Sequence, residues 1–357
     1  MDQKMKILIG GGAGYIGSVL IPALLEHGYD VTVVDLLWFG NHLPKEVKVI
    51  KKELFDCKKE DLEGYDQFIF LAGVSNDPMA EFSPAKNFIY NGALPAYLAY
   101  IAKQAGIKRY IYASSCSVYG YTVDQLYNED APVTCGYPYG ISKLQGERGV
   151  FQLQDDKLSV IALRQGTVSG HSSRMRFDLI VNTMFKSAMK DGKITINNPS
   201  IWRPILNTKD AVNAYLRAIQ ADYSISGIFN VASDNYTVGQ VGDMVKAELE
   251  ELTGKNIELE IKNIQDFRNY KVSIERAKTS IGFQPRLTIK DIIIDLYAHR
   301  KEYGDFENDE YYNIRTFKKL ETAEEINTRK IHNELYGRTP QGLKTDQQAE
   351  IKTSVRL

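Results

Sequence analysis

Cysteine is scarce: the chain has three among 357 residues, at Cys57, Cys116 and Cys135. An odd count with no C-x-x-C spacing suggests neither a disulfide framework nor a zinc cluster. Histidine is nearly as scarce. Its five copies (His27, His42, His171, His299 and His332) are scattered without H-x-x-x-H spacing, so no metal site is expected. An excess of one charge is also missing, since 44 Lys and Arg against 45 Asp and Glu leave −1. Such a chain offers no electrostatic case for nucleic acid or an anionic membrane, and any anionic ligand must be held by a local site. No apolar run approaches the length of a transmembrane helix. The N-terminus enters an apolar strand almost directly, without the basic region, apolar stretch and cleavage site of a secretory signal. The compartment expected from these absences is reducing and cytoplasmic. Internal repeats and Gly/Ser- or Pro-rich linkers are lacking as well.

Hydrophobic residues make up 43% and charged residues 25%, ordinary for a soluble globular protein. The length suits one large α/β domain or two smaller ones. Short apolar runs at Lys6–Ile9, Val31–Val34, Val47–Ile50, Phe68–Leu71, Tyr110–Ala113 and Leu158–Leu163 read as buried strands. Between them lie helical patterns. In Tyr15–His27, residues Ile16, Val19, Leu20, Ala23 and Leu24 share one face, and a long helix is expected from Pro84 to Ala105, stopped by Gly106. Another starts near Tyr137. This alternation implies parallel strands with helices on both faces. Beyond Ser169 the pattern loosens, with helices expected at Asp178–Met189, Asp210–Gln220, Val238–Leu252 and Ile289–Arg300. Short strands are expected at Ile194–Ile196 and Ile228–Val231. From about Glu302 the chain is polar, and past Gly337 it has almost no apolar periodicity.

"ILIGGGAGYIGSVL" places Gly11, Gly14 and Gly17 as G-x-x-G-x-x-G between a strand and a helix. Glycines there allow the backbone to approach a pyrophosphate, whose charge sits at the helix N-terminus. Without the strand and helix the pattern would be only a tight turn; here both are present. The cofactor turn comprises Gly11, Gly14, Tyr15, Ile16 and Gly17. Asp35 ends the second strand. An acid at that place accepts hydrogen bonds from the ribose hydroxyls and repels the 2′-phosphate of NADP. The residues after it, Leu36, Leu37 and Trp38, supply no basic group, so NAD is favoured.

"YPYGISK" holds Tyr139 and Lys143, four apart on one helix face. A phenol with pKa about 10 is a poor base at neutral pH. A nearby ammonium stabilises the phenolate, and Tyr139 can then take a substrate hydroxyl proton as hydride leaves the same carbon. Lys143 is also placed to hold the nicotinamide ribose. By itself the spacing fits a surface Tyr and Lys equally well; the glycine turn and the serine-bearing strand end give it weight.

Together "GGAGYIG", "LAG" at Leu71–Gly73, "SSCSVYG", "YPYGISK" and "RPILNTKDAVNAY" resemble the NAD-dependent epimerase/dehydratase family, the extended short-chain dehydrogenases that act on nucleotide sugars. The resemblance runs from about Met5 to Arg300. It implies a Rossmann-type doubly wound parallel sheet with a smaller C-terminal α/β substrate-binding region. The corresponding division is 1–168 for NAD binding, with later strands contributed from the C-terminal half, 169–303 for substrate, and 304–357 as a polar extension. It puts Glu53 and Leu54 beside adenine, Leu71, Ala72 and Gly73 along the pyrophosphate and ribose, and Asn91 near the nicotinamide half. Ser115, three before Val118 of "VYG", matches the catalytic Ser or Thr, joining Tyr139 and Lys143. Ser75, Ser117 and Thr167 fall on the substrate side. Arg203 and Asp210 match an R-x6-D pattern in which the Arg holds a diphosphate. Asp210 has a second reading, as the cap of the helix that begins there. Asn182 resembles the Asn that meets the nucleotide phosphates. Arg174 and Arg176 either reach anionic substrate groups or are solvated loop arginines.

Some positions depart from the family pattern. Gly10 stands in place of Thr, and Thr167 in place of Asn. The 4,6-dehydratases carry Asp-Glu after their catalytic Thr, where this chain has Cys116-Ser117, so dehydration is disfavoured. The 3,5-epimerases use a Cys two residues after the Ser; Cys116 is one residue after Ser115. A one-residue shift on an extended strand turns a side chain to the other face, which makes Cys116 a buried filler. The resemblance thus implies an NAD-dependent nucleotide-sugar epimerase acting through a keto intermediate, at C4 in the usual case. A dehydrogenase or 4-keto-reductase with the same residues is the alternative. A non-catalytic dinucleotide sensor is a third reading, which the retention of Ser115, Tyr139 and Lys143 speaks against. A homodimer through the helices near Pro84–Ala105 and Tyr137–Leu153 is expected by analogy.

Overall fold

β1 (Lys6–Gly10) leads through the glycine turn into α1 (Gly17–Glu26), and β2 (Asp30–Asp35) and β3 (Lys48–Lys51) follow on one side of β1. This computed structural model describes residues 4–262 and 268–323. β4 (Gln67–Phe70) pairs with the opposite edge of β1, and β5 (Arg109–Ser115) extends the sheet beyond β4. The seven-stranded sheet has the order β11-β7-β5-β4-β1-β2-β3 and every pairing in it is parallel, with β7 (Ser159–Gln165) and β11 (Gly227–Val231) completing it. All seven residues of β5 and of β7 are buried, as central strands covered on both faces require. The chain reverses its direction of strand addition between β1 and β4. A crevice opens there at the C-terminal strand ends, the place where doubly wound sheets bind ligands.

The expected helix over 84–105 is present in three parts: Pro84–Phe88, a π-helical turn at Ile89–Ala93, and α2 (Leu94–Ala105), which ends at Gly106 with φ +83. α3 (Pro138–Phe151) packs beside it. Gly146 lets the two approach closely, since a Cβ there would lie 2.2 Å from the Asn91 carbonyl oxygen.

Three smaller sheets accompany the main one. β8 (Thr167–Ser169), β10 (Trp202–Asn207) and β12 (Asp234–Thr237) form one; β9 (Lys193–Asn197) and β13 (Glu258–Lys262) a second; β6 (Tyr121–Tyr127) and β14 (Asn269–Val272) a third. α4 (Ile180–Asp191), α5 (Thr208–Gln220), α6 (Val238–Thr253) and α7 (Ile289–Ala298) pack among them. The chain divides into two units at Ile314/Arg315, so the stretch 304–314 of the expected extension is part of the main body. Phe306 is buried there, with its ring centroid 5.1 Å from that of Phe177. The described part of the second unit, 315–323, is helical, and the expectation for the chain past Gly337 lies outside the described residues. No helix of the described residues is long and apolar enough to cross a membrane.

One buried ion pair joins α3 to the sheet. Glu147 Oε1 accepts from Arg164 Nη2 at 2.6 Å, and Oε2 accepts from Nε at 3.0 Å and from Ser114 Oγ at 2.7 Å. Arg164 Nη1 donates to Tyr119 Oη at 2.9 Å. Side-chain exposure is 4% for Arg164 and 2% for Glu147, so neither charge has water to fall back on. Removing one partner of such a pair costs about 3–5 kcal/mol, because the other is left buried and uncompensated. Glu147→Gln is therefore expected to lower unfolding free energy by about that amount in urea titrations. Glu147→Leu combined with Arg164→Met should recover a large part of the loss; a double variant worse than the single would contradict this account.

Candidate active site

A cavity of about 580 Å³ extends from the glycine turn to β9 and β10. Its floor is built from the turn itself. A Cβ on Gly11, at φ +78, would stand 2.4 Å from Ala72 Cα, and one on Gly17 would stand 2.0 Å from the Gly12 carbonyl oxygen. Internal packing therefore requires glycine at both places. At Gly14 a Cβ would meet only the Gly11 carbonyl oxygen, at 3.4 Å, and Gly14 lines the cavity. The bare backbone at the start of α1 is the cradle a pyrophosphate requires.

Gly11, Gly14, Tyr15, Ile16, Gly17, Leu71 and Gly73 line this cavity, whereas Asp35, Glu53, Leu54, Ala72 and Asn91 do not. Asp35 turns its carboxylate back to the turn, accepting from Ala13 N–H at 3.0 Å and Leu37 N–H at 2.7 Å. Burial raises its pKa and these two bonds oppose the rise. Glu53 Oε2 accepts from Tyr90 Oη at 3.1 Å, and Leu54 is packed under Gly10. Asn91, on the π-helical turn, accepts from Val74 N–H at 3.0 Å and donates to the Val74 carbonyl at 2.7 Å, to Asn87 Oδ1 at 2.8 Å and to Ser142 Oγ at 3.2 Å. It fixes the segment after β4 against α3. Gly73 has φ +134 and no room for a side chain, because a Cβ would lie 2.2 Å from Asn91 Oδ1.

Ser115, at the end of β5, and Tyr139, in the first turn of α3, both line the cavity. Ser115 Oγ accepts from Ser117 N–H at 3.2 Å. Lys143 lies one turn further along α3; its Nζ donates to the Ala113 carbonyl at 2.9 Å and sits 5.9 Å from the centre of the Tyr139 ring. Burial pushes the Tyr139 phenol up to about 12, and the Ser115 side chain opposes the rise. Burial likewise pushes the Lys143 ammonium down to about 7. Cys116 points away from the cavity, fully buried, and its thiol donates to the Arg164 carbonyl at 3.1 Å. Burial raises its pKa strongly. It has the character of a core residue, as the register argument anticipates.

Ser75, Ser117, Thr167, Arg174, Arg176 and Arg203 also line the cavity. Ser117 shares a hydrogen bond with Tyr270 Oη at 3.3 Å. Arg176 is no solvated loop residue: it is buried, holds Asp178 in two bonds of 2.8 and 2.9 Å, and donates to Ser75 Oγ at 2.8 Å. Arg203 donates to the Trp202 carbonyl at 2.8 Å and packs over the Tyr270 ring. Asn182 does not line the cavity. Its amide donates to Tyr15 Oη at 3.0 Å and the Arg176 carbonyl at 2.8 Å, and accepts from Gly170 N–H at 3.0 Å. Asp210 is not the helix cap. Asn207 caps α5 by accepting from Lys209 N–H, while Asp210 accepts from Ser233 Oγ and the N–H groups of Arg286 and Leu287. Sequence reasoning missed Asn313, which donates to Ser75 Oγ at 3.0 Å, and Asp77, which pairs with Arg268 at 2.7 Å across the cavity. Neither belongs to a periodic or motif-like pattern that could have marked it. Among the described residues no group of three or more His, Cys, Asp or Glu could hold a metal.

The chain belongs to the NAD-dependent epimerase/dehydratase family, whose model matches residues 7–232, and it is an NAD-dependent enzyme. It is 26% identical over 324 residues to a UDP-glucose 4-epimerase of Corynebacterium glutamicum, covering 84% of this chain and 97% of that one. It is 25% identical over 308 residues to UDP-glucuronic acid decarboxylase 5 of Arabidopsis thaliana, covering 81% of this chain and 87% of that protein. Among solved structures, the UDP-glucose 4-epimerase of Thermotoga maritima with UDP-glucose matches with TM-score 0.74 and 25% identity, covering 84% of this chain and 99% of that one. MoeE5 in complex with UDP-glucose and NAD shares the fold with TM-score 0.74 at 24% identity, over 84% of this chain and 100% of that one.

The burial of Lys143 has a measurable consequence. Its folded pKa lies below the ordinary 10.5, so between about pH 7 and 10.5 the unfolded chain binds the extra proton and stability rises with pH. The penalty is present in full below pH 7 and fades toward 10.5. Lys143→Met is expected to be more stable than the natural chain at pH 7, by on the order of a few kcal/mol. The gap should narrow by pH 9.5 in urea titrations. A gap that widens with pH would have the wrong sign.

Proposed function

We propose that this enzyme is a nucleotide-sugar epimerase that inverts a sugar carbinol, at C4, by oxidation to a ketone and reduction from the other face. The observation that carries this reading is the meeting of Ser115 and Tyr139 in one cavity with the glycine turn, with Lys143 beneath the tyrosine ring. Held along the glycine turn, NAD would supply the hydride acceptor and donor for the carbinol carbon. Tyr139 takes the hydroxyl proton as the carbon is oxidised and gives it back on reduction. Ser115 donates to the same substrate oxygen and fixes its distance from the phenol. Lys143 places a positive charge where negative charge develops on the Tyr139 oxygen, and in a buried site that charge is weakly screened. The cavity carboxylates speak against dehydration, since Asp77 is paired with Arg268 and Asp178 with Arg176. Arg203, beside Tyr270, is assigned to the substrate diphosphate. UDP-glucose and UDP-glucuronic acid accompany NAD in the two MoeE5 complexes, which makes UDP-hexoses the first substrates to try.

The test uses purified protein, catalytic NAD and UDP-, GDP- and dTDP-hexoses, with products resolved by chromatography. Interconversion of one epimer pair without net NAD consumption is expected. Stoichiometric oxidation or reduction would instead identify a dehydrogenase or 4-keto-reductase, and no turnover of any sugar nucleotide would favour the sensor reading. Tyr139→Phe should lower turnover about 10²–10⁴-fold with NAD binding retained; unchanged turnover would remove Tyr139 from the mechanism.

We further propose a homodimer through the helices that carry this site. Phe88, Ile89, Tyr100 and Ile141 are exposed large apolar residues on the 84–105 segment and α3. Ile89→Glu is expected to convert a dimer to a monomer in sedimentation equilibrium, with the circular dichroism spectrum unchanged. A natural chain that sediments as a monomer would refute the assignment.

A further inference from the structure

The loop 170–178 lies directly on the glycine turn. Tyr15 Oη donates to the Gly170 carbonyl at 2.6 Å, Ser172 Oγ donates to the Tyr15 carbonyl at 2.8 Å, and Asn182 holds Tyr15 from a third side. This welding sets the place of Arg174. Its side chain lines the same cavity as Gly11, Gly14 and Gly17, and only 3% of the residue is exposed. The guanidinium is covered by the Phe39 ring, with 3.8 Å between its carbon and the ring centroid. Nη2 donates to Asn313 Oδ1 at 2.6 Å. Nε and Nη1 are buried and make no hydrogen bond among the described residues.

Two idle donors on a buried cation are costly unless a ligand satisfies them. A ligand with more than one acceptor oxygen can meet both donors, which point along different edges of the guanidinium, and the buried charge favours an anion. Arg176 next to it is already neutralised by Asp178, which leaves Arg174 as the charge with an open demand. Its packing places it beside the glycine turn: Phe39, from the segment after β2, covers it, and Ser172, two residues before it, is bonded to the Tyr15 carbonyl. Arg203, by contrast, stands on β10 and packs over the Tyr270 ring.

We propose that Arg174 serves the cofactor and not the sugar nucleotide: its guanidinium closes over the dinucleotide pyrophosphate, beside the glycine turn, and Asn313 is the positioning residue that holds it there. The assignment rests on the family's NAD dependence and differs from the substrate role expected from sequence. Asn313 ties Arg174 to Ser75, so the segment after α7 closes a strap over the cofactor.

The test titrates NAD, ADP, adenosine and UDP into full-length protein freed of bound nucleotide, for the natural chain, Arg174→Gln and Asn313→Ala. For Arg174→Gln, NAD and ADP affinities are expected to fall about 10–100-fold, the loss of charge-assisted bonds to phosphate. Adenosine and UDP affinities should stay within about twofold, since neither probe pairs a diphosphate with the adenosine site. Asn313→Ala should show the same ligand selectivity with a smaller loss, and its turnover should return at saturating NAD. Unchanged NAD affinity, an equal fall for adenosine, or a fall confined to UDP would each overturn the proposal, and the last would return Arg174 to the substrate. If Arg174→Gln does not fold by circular dichroism, Asn313→Ala carries the test by the same criteria.

Discussion

The Glu147–Arg164 pair is the constraint on which the site depends. α3 carries Tyr139 and Lys143 near its start and Glu147 one turn on, while Ser114 and Arg164 belong to adjacent strands. One carboxylate therefore fixes the helix against β5 and β7 together. Buried ion pairs are weak sources of net stability, because desolvation offsets most of the attraction. Their value here is geometric. A hydrophobic contact would tolerate a small slide of α3 along the sheet; two directional bonds to one guanidinium and a third from Ser114 do not. Catalytic positions need placement within about half an ångström, and the residue after Ser114 is Ser115.

A second polar centre does the same for the neighbouring segment. Asn91 sits on a π-helical turn, a feature that tends to occur where a side chain must be re-aimed for function. Its amide satisfies Val74 through both backbone groups and reaches Asn87 and Ser142 as well. Gly73 gives up any side chain to admit it. The two centres thus hold the crevice from either side of β5, leaving the cavity shape determined by hydrogen bonds and not by apolar packing alone.

Local patterns in the sequence were enough for the main sheet and its helices. Each central strand lies under a short apolar run, and α1, α4, α5, α6 and α7 lie within two residues of the helical patterns read from sequence. β6 and β14 escaped notice because "YTVDQLY" and "NYKV" contain no such run, and their pairing spans about 150 residues of chain. The start of α5 was misplaced because a helix cap and a first-turn acid look alike in sequence; Asn207 and Asp210 were separated only by the partners each finds. Glycine spacing and the Tyr-Lys interval identified the floor and one end of the cavity. Asn313 and the environment of Arg174 were invisible for a different reason: their partners lie more than a hundred residues away and obey no periodicity. Motifs record what a ligand's rigid parts demand, whereas long-range polar contacts record how one chain encloses it.

The bond between Ser75 and Asn313 spans 238 residues. Ribosomes add about 5–20 residues per second, so the two ends of that contact emerge on the order of tens of seconds apart. The first strands and the glycine turn can pair while the rest is still being made, yet the wall that includes Asn313 is absent throughout that interval. The nascent chain presents an open crevice, and only the finished body encloses the cavity. Order of synthesis thus sets when the crevice is shielded from the other molecules of the cell.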